Sequence, residues 1–221
     1  MSKFVPQNLL EEAILKNDMK LLIQAVAENH KLSSAIAAKY LDSNAFSDEA
    51  ICCVLLLASN ITWFLKHCSD SERIQTLAAD IISAPQENMQ ENEKALAQAV
   101  AKYDSSEVIR LIQNENVKLN NVSPEIIKAV PELTGEAAVA FLKHGLTAKA
   151  QAHVLGVLLN EAENPELFKD ISYSERIKYA NLMIHIISGE DISAQKPWYP
   201  EKSDGSFFYY YDPEHKFNPY K

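Results

Sequence analysis

A chain of 221 residues, 47% of them apolar, is long enough to bury a sizeable core as one elongated domain or two small ones. A formal charge of -9 and a pI near 5.2, with lysines dispersed among acids, argue against a surface for nucleic-acid phosphates. The five glycines (Gly135, Gly145, Gly156, Gly189 and Gly205) are too scattered to form phosphate-cradling loops. No apolar run approaches the ~20 residues that span a bilayer, and the opening MSKFVPQNLLEE lacks the apolar core of a signal peptide. Cys52, Cys53 and Cys68 are odd in number with two adjacent, a poor disulfide framework. The expected setting is a reducing cytosol, the cell's own or that of a host receiving a bacterial effector.

Taken in order, helical signals dominate. Leu9, Leu10, Ala13 and Ile14 share one face of a first helix, with Pro6 expected in its opening turn. Asp18 is expected to cap Met19 to Glu28, whose apolar stripe is Leu21, Leu22, Ala25 and Val26. A short helix follows near Ser34 to Leu41. Ser47, with Asp48 and Glu49 behind it, opens a helix whose body AICCVLLLA is apolar on nearly all sides, as in a helix buried between neighbours. Asn60 caps a segment ending in Lys66-His67, and Ser69 or Ser71 starts another that closes at Pro85.

The polar stretch from Pro85 to Lys94 reads as a linker or as an exposed helix start. Leu96, Ala99 and Val100 then echo Leu10, Ala13 and Ile14 at an offset of 86, and Asp104 echoes Asp18. Ser123-Pro124 starts a helix that Pro131 ends or kinks. Thr134 caps the next, and His144-Gly145 reads as a glycine C-terminus. Gln151 to Asn160, a short helix from Pro165, and a last long one from Ser172 or Ser174 to Gly189 complete the helical part.

Phe64-Leu-Lys-His67 recurs as Phe141-Leu-Lys-His144 at an offset of 77. Repetition over tens of residues is the mark of helical hairpins that bury their faces on one another. The two offsets are reconciled by an insertion of about nine residues near Ser34 to Leu41 in the first copy. The expectation is therefore all-α: an irregular solenoid of antiparallel helix pairs. It divides into a first repeat unit over 1–92, a second over 93–192 packed on the first, and an aromatic extension over 193–221.

The stretches Phe64-Leu-Lys-His-Cys-Ser-Asp70 and Phe141-Leu-Lys-His-Gly-Leu-Thr147 resemble the second-helix ending of ankyrin repeats. Glu107-Val-Ile-Arg-Leu-Ile112 followed by Asn116-Val-Lys-Leu-Asn120 is similar to the same family's helix and following turn. The family's Thr-Pro-Leu-His opening is missing, and the spacing departs from its 33-residue period. What the resemblance implies is degenerate ankyrin-like helix pairs that bind another protein.

Candidate chemistry is sparse. Adjacent Cys52 and Cys53 point about 100° apart on a helix, unlike the two- to four-residue spacing of zinc ligands, so buried thiols are expected with no metal and no cofactor. His67 and His144 fall in last helical turns, where a cation meets free carbonyls. His153 and His185 lie on apolar helices. No HExxH, GxSxG or Cys-His signature assigns a catalytic residue. The tail from Trp198 holds nine of the chain's 19 aromatics. Trp198, Tyr199, Phe207, Phe208, Tyr209, Tyr210 and Tyr211 are the candidate partner-binding residues, in two runs around a Ser203-Asp204-Gly205-Ser206 turn that suits a small hairpin. They either cap the last helical face or anchor a partner. The function expected is that of a non-enzymatic intracellular adaptor or effector. The rivals are an all-α enzyme with a His/acid site drawn from separate helices, and a structural subunit that self-associates through the tail.

Overall fold

In the computed structural model the described residues are 5–32, 34–58, 60–83, 90–160, 165–169, 171 and 173–190. Their regular elements are all helical, without a strand among them; one isolated parallel bridge joins Leu119 to Leu146. They divide into two compact units, one ending at Ser83 and the other beginning at Ala84.

The first unit opens with α1 (Leu9–Lys16) and α2 (Met19–Ala27). Asn8 caps α1 and Asp18 caps α2, each accepting from the backbone N–H three residues on. Helix α1 thus starts after Pro6, which lies outside the first turn because the Asn8 side chain supplies the cap. Next come α3 (Ala35–Ser43), capped by Ser34, and α4 (Asp48–Cys53), capped by Ser47. The apolar run continues past α4 as a π-helical turn over Val54–Ala58. Helices α5 (Ile61–His67) and α6 (Glu72–Ile82), capped by Asn60 and Ser71, complete the unit.

Packing follows an alternating rule. Helix α3 lies against α1 and α5, while α4 with its π turn lies against α2 and α6. The unit is therefore two layers, α1, α3 and α5 in one and α2, α4 and α6 in the other, with α1/α2 and α5/α6 packed as pairs. Polar clamps fix the register. The fully buried Glu11 carboxylate accepts from the backbone N–H of Gln7 (2.9 Å) and of Ser34 (3.2 Å), tying the start of α1 to the start of α3. Arg73 on α6 donates to the Asp48 carboxylate and to the Phe46 carbonyl, both at the start of α4.

The second unit begins in the same order. Helices α7 (Glu91–Ala101) and α8 (Ser105–Glu115) form a hairpin with Asp104 as cap of α8. Helix α9 (Pro124–Ala129) runs into a 3-10 turn over Val130–Glu132, where Pro131 stops the α-helix, and packs on α7. Helix α10 (Gly135–His144) packs on α8. Helix α11 (Ala148–Leu159) pairs with α13 (Tyr173–Ile187), which also touches α10; the short α12 (Pro165–Phe168) lies against α9.

This order revises the repeat register. By packing, α3 corresponds to α9 and α4 to α10, and α5 and α11 come next in chain order. Their N-caps are Ser34 and Ser123, Ser47 and Thr134, Asn60 and Thr147, at offsets of 89, 87 and 87. Buried positions follow: Leu32 with Leu119, Phe46 with Leu133, Ala50 with Ala137, Val54 with Phe141 and Leu55 with Leu142. No nine-residue insertion is needed, and Ser34 to Leu41 is an ordinary member of the series. The Phe-Leu-Lys-His matches pair α5 with α10, helices of opposite layers. The likeness is local, in the connectors that follow them. Gln75 on α6 donates to the Cys68 carbonyl (2.9 Å), and Gln151 on α11 donates to the carbonyls of Leu142 (2.8 Å) and Lys143 (3.1 Å). Each glutamine sits four residues past an N-cap and reaches back to close the preceding helix.

Gly145 also differs from expectation. Its φ is -87°, so it is no left-handed cap. It is small because a Cβ there would stand 2.9 Å from the Phe141 ring and 3.0 Å from both Ile112 Cδ1 and the Phe141 carbonyl oxygen.

Candidate functional site

Helices α1 and α7 end alike. Asn17 and Tyr103 take left-handed backbone angles (φ 54° and 59°) just before the caps Asp18 and Asp104. In the first turn Asn17 N–H donates to the Ile14 carbonyl and Asp18 N–H to that of Ala13. In the second, Tyr103 N–H donates to Val100 and Asp104 N–H to Ala99. This pair of bonds satisfies carbonyls that a helix end leaves open. The αL region suits glycine or asparagine; for a bulky L-residue it is strained by roughly 1–2 kcal/mol. Among the described residues, non-glycine positive φ occurs at Asn17, Asn29 and Asn116, and at Tyr103 alone of other types.

Tyr103 is 56% exposed and lines an open groove of about 420 Å³ together with Ala101, Glu125, Lys128, Ala129 and Glu132. Helix α9 and its 3-10 turn place Glu125 and Glu132 seven residues apart, on one side of the segment. Hydrogen bonding from Ser123, then from its own backbone, holds the exposed Glu125 carboxyl below its usual range, so it is anionic at neutral pH. The groove therefore offers an aromatic ring, an apolar floor and two carboxylates against one ammonium.

By the register of the fold, Ala101 corresponds to Leu15, Glu125 to Ile36, and Ala129 to Tyr40, while Lys128 corresponds to Lys39. Leu15, Ile36 and Tyr40 are 41%, 46% and 40% exposed, three of the large apolar side chains the first unit leaves in solvent. The same edge of the first-helix layer is thus exposed and apolar in one unit, and aromatic and acidic in the other. Residue-by-residue reading of the sequence missed both edges. The usable signal was a tyrosine standing 86 residues after Asn17, immediately before an N-cap aspartate.

The other candidates separate. Cys52, Cys53 and Cys68 are buried and free. Burial, then Asp48 and Glu49, pushes the Cys52 thiol up to about 12; burial raises Cys53 well above the usual thiol range and raises Cys68 as well. Such thiols carry little thiolate and react slowly. Among the described residues no cluster of three or more His, Cys, Asp and Glu side chains could hold a metal.

His67 ends α5, its ring stacked on Trp63 (4.3 Å between centroids) and its Nδ1 donating to the Trp63 carbonyl (2.8 Å). His144 ends α10 and is exposed. Burial by its surroundings, then Lys143 and Lys118, lowers its pKa. His153 on α11 is exposed as well, with its pKa lowered by surrounding protein and then by Lys149. His185 on α13 is buried and pairs with Glu190. The aromatic candidates Trp198, Tyr199, Phe207, Phe208, Tyr209, Tyr210 and Tyr211, and the hairpin expected around Ser203 to Ser206, lie outside the described residues. No single helix among the described residues is long and apolar enough to cross a membrane.

The chain matches no protein-family model, no curated protein and no solved structure.

Proposed function

We propose that this chain is a non-enzymatic protein-binding scaffold, an adaptor or effector, made of stacked helical hairpins of ankyrin-like type. The observation that carries the reading is the coincidence of surfaces under the repeat register. The groove beside Tyr103 maps onto the face where the first unit exposes Leu15, Ile36 and Tyr40. Stacked hairpins bury one side of each helix and present a row of matching positions along the free edge, which is how repeat scaffolds hold partners. Large exposed aromatic and aliphatic side chains gathered on one such edge mark an interaction surface more than they serve stability. The aromatic tail from Trp198 is a second arm of the same proposal.

The test is affinity capture with the full chain as bait, beside Ile36→Glu/Tyr40→Glu, Tyr103→Asn and a chain ending at Gly189. A discrete partner retained by the wild type and lost from at least one folded variant supports the reading and says which surface binds. No specific partner, or equal retention by all four, contradicts it.

A further inference from the structure

We propose that the groove between the α7–α8 turn and α9 is a docking site for an arginine side chain presented by a partner protein's extended segment, with Tyr103 as its stacking platform. This rests on the scaffold reading and names the chemistry of its partner.

Two independent observations point there. The first is conformational. The turn that ends α7 asks for asparagine or glycine, and asparagine fills the counterpart position, Asn17, as well as Asn29 and Asn116. Tyrosine gains nothing from that backbone: it is strained there, and more than half its surface lies in solvent. Strain kept at an exposed residue points to a contact made outside the fold. The second observation is charge. The corresponding edge of the first unit carries Ile36 and Ser43 where the groove carries Glu125 and Glu132. The substitutions turn an apolar edge into an acidic one around a single aromatic ring.

An aromatic face beside carboxylates suits a guanidinium. The cation is attracted to the ring's negative face, and its planar fork offers paired donors to a carboxylate. Lysine would make the first contact but not the paired second. At about 420 Å³ the groove sits near the small end of ligand pockets, in keeping with one long side chain and its flanking backbone rather than a folded domain. Lys128 within the groove disfavours an occupant with several cations, so a lone arginine between neutral residues is the expected pattern.

The experiment uses the full chain and two small probes, N-acetyl-arginine amide and its neutral isostere N-acetyl-citrulline amide. Each is titrated at millimolar concentration while the Tyr103 ring protons, assigned from the Tyr103→Phe spectrum, are followed by NMR. The arginine probe is expected to shift the Tyr103 signals saturably, with citrulline about five- to tenfold weaker. In Glu125→Gln/Glu132→Gln, which keeps both side-chain shapes, the preference for arginine should vanish. Equal response to the two probes, no response, or shifts confined to other tyrosines would overturn the assignment. A partner that needs Tyr103 in capture while the arginine probe is silent rejects the arginine chemistry and leaves the scaffold intact. Selective arginine binding without any captured partner supports the groove and rejects the scaffold.

Discussion

Among the described residues, backbone conformation and side-chain chemistry disagree at Tyr103, the one residue other than asparagine and glycine with a positive φ. Tyr103→Asn gives the αL turn its preferred residue, so the melting temperature should rise by about 2–4 °C if roughly 1 kcal/mol of strain is relieved. A lower melting point would mean that the ring's buried part stabilises the turn more than the strain opposes it. The cysteines are the opposite case, side chains fully absorbed by the core. Burial raises all three thiols above the usual range, so at pH 8 the native protein should react with a thiol reagent far more slowly than the denatured chain. Denaturant should then release all three. Rapid modification of any one in the native state would show that its burial is overstated.

At the level of elements, connectors matter as much as helices. Gln151 closes α10 by donating to two of its last carbonyls. Gln151→Ala should cost about 1–3 kcal/mol, because the buried Leu142 carbonyl loses its donor. Gly145→Ala forces a methyl group against Phe141 and Ile112, and should cost a similar ~1–3 kcal/mol. Thermal melts of both variants, compared with an exposed Lys143→Ala control, check the two values.

The helix starts were legible beforehand because capping chemistry is local: Asp18, Ser47, Asn60, Asp104 and Thr134 all begin helices as their side chains suggested, and Ser123-Pro124 begins one through the proline at its first position, without a side-chain cap bond. Pairing was not legible. Phe64 to His67 and Phe141 to His144 are alike because each is followed by the same kind of connector, a capping hydroxyl and then a glutamine reaching back. That likeness carries no information about which layer a helix joins. Layer membership depends on how many helices precede it within a unit, so α5 packs beside α3 and α10 beside α8 despite sharing a motif. The groove was hidden for the same reason, since Tyr103 stands out only once Asn17 is known to occupy the same turn.

At the scale of the molecule, among the described residues, helices α2 to α4 and α8 to α10 start at offsets of 86–89 residues, with several buried positions matched and one exposed edge changed in character. Under the proposed scaffold reading, divergence at a surface with the core positions kept apolar is expected where the two units take on different contacts. The two edges should accordingly be separable. Ile36→Glu/Tyr40→Glu should leave the arginine response at Tyr103 unchanged while altering whatever the first unit binds. The measurement that tests the Tyr103 groove as the partner's docking surface most directly is partner binding by folded, full-length Tyr103→Asn, read beside its melting curve. The account predicts a protein that melts as high as the wild type or higher and no longer holds the partner. A variant that melts as high and binds with wild-type affinity would contradict it.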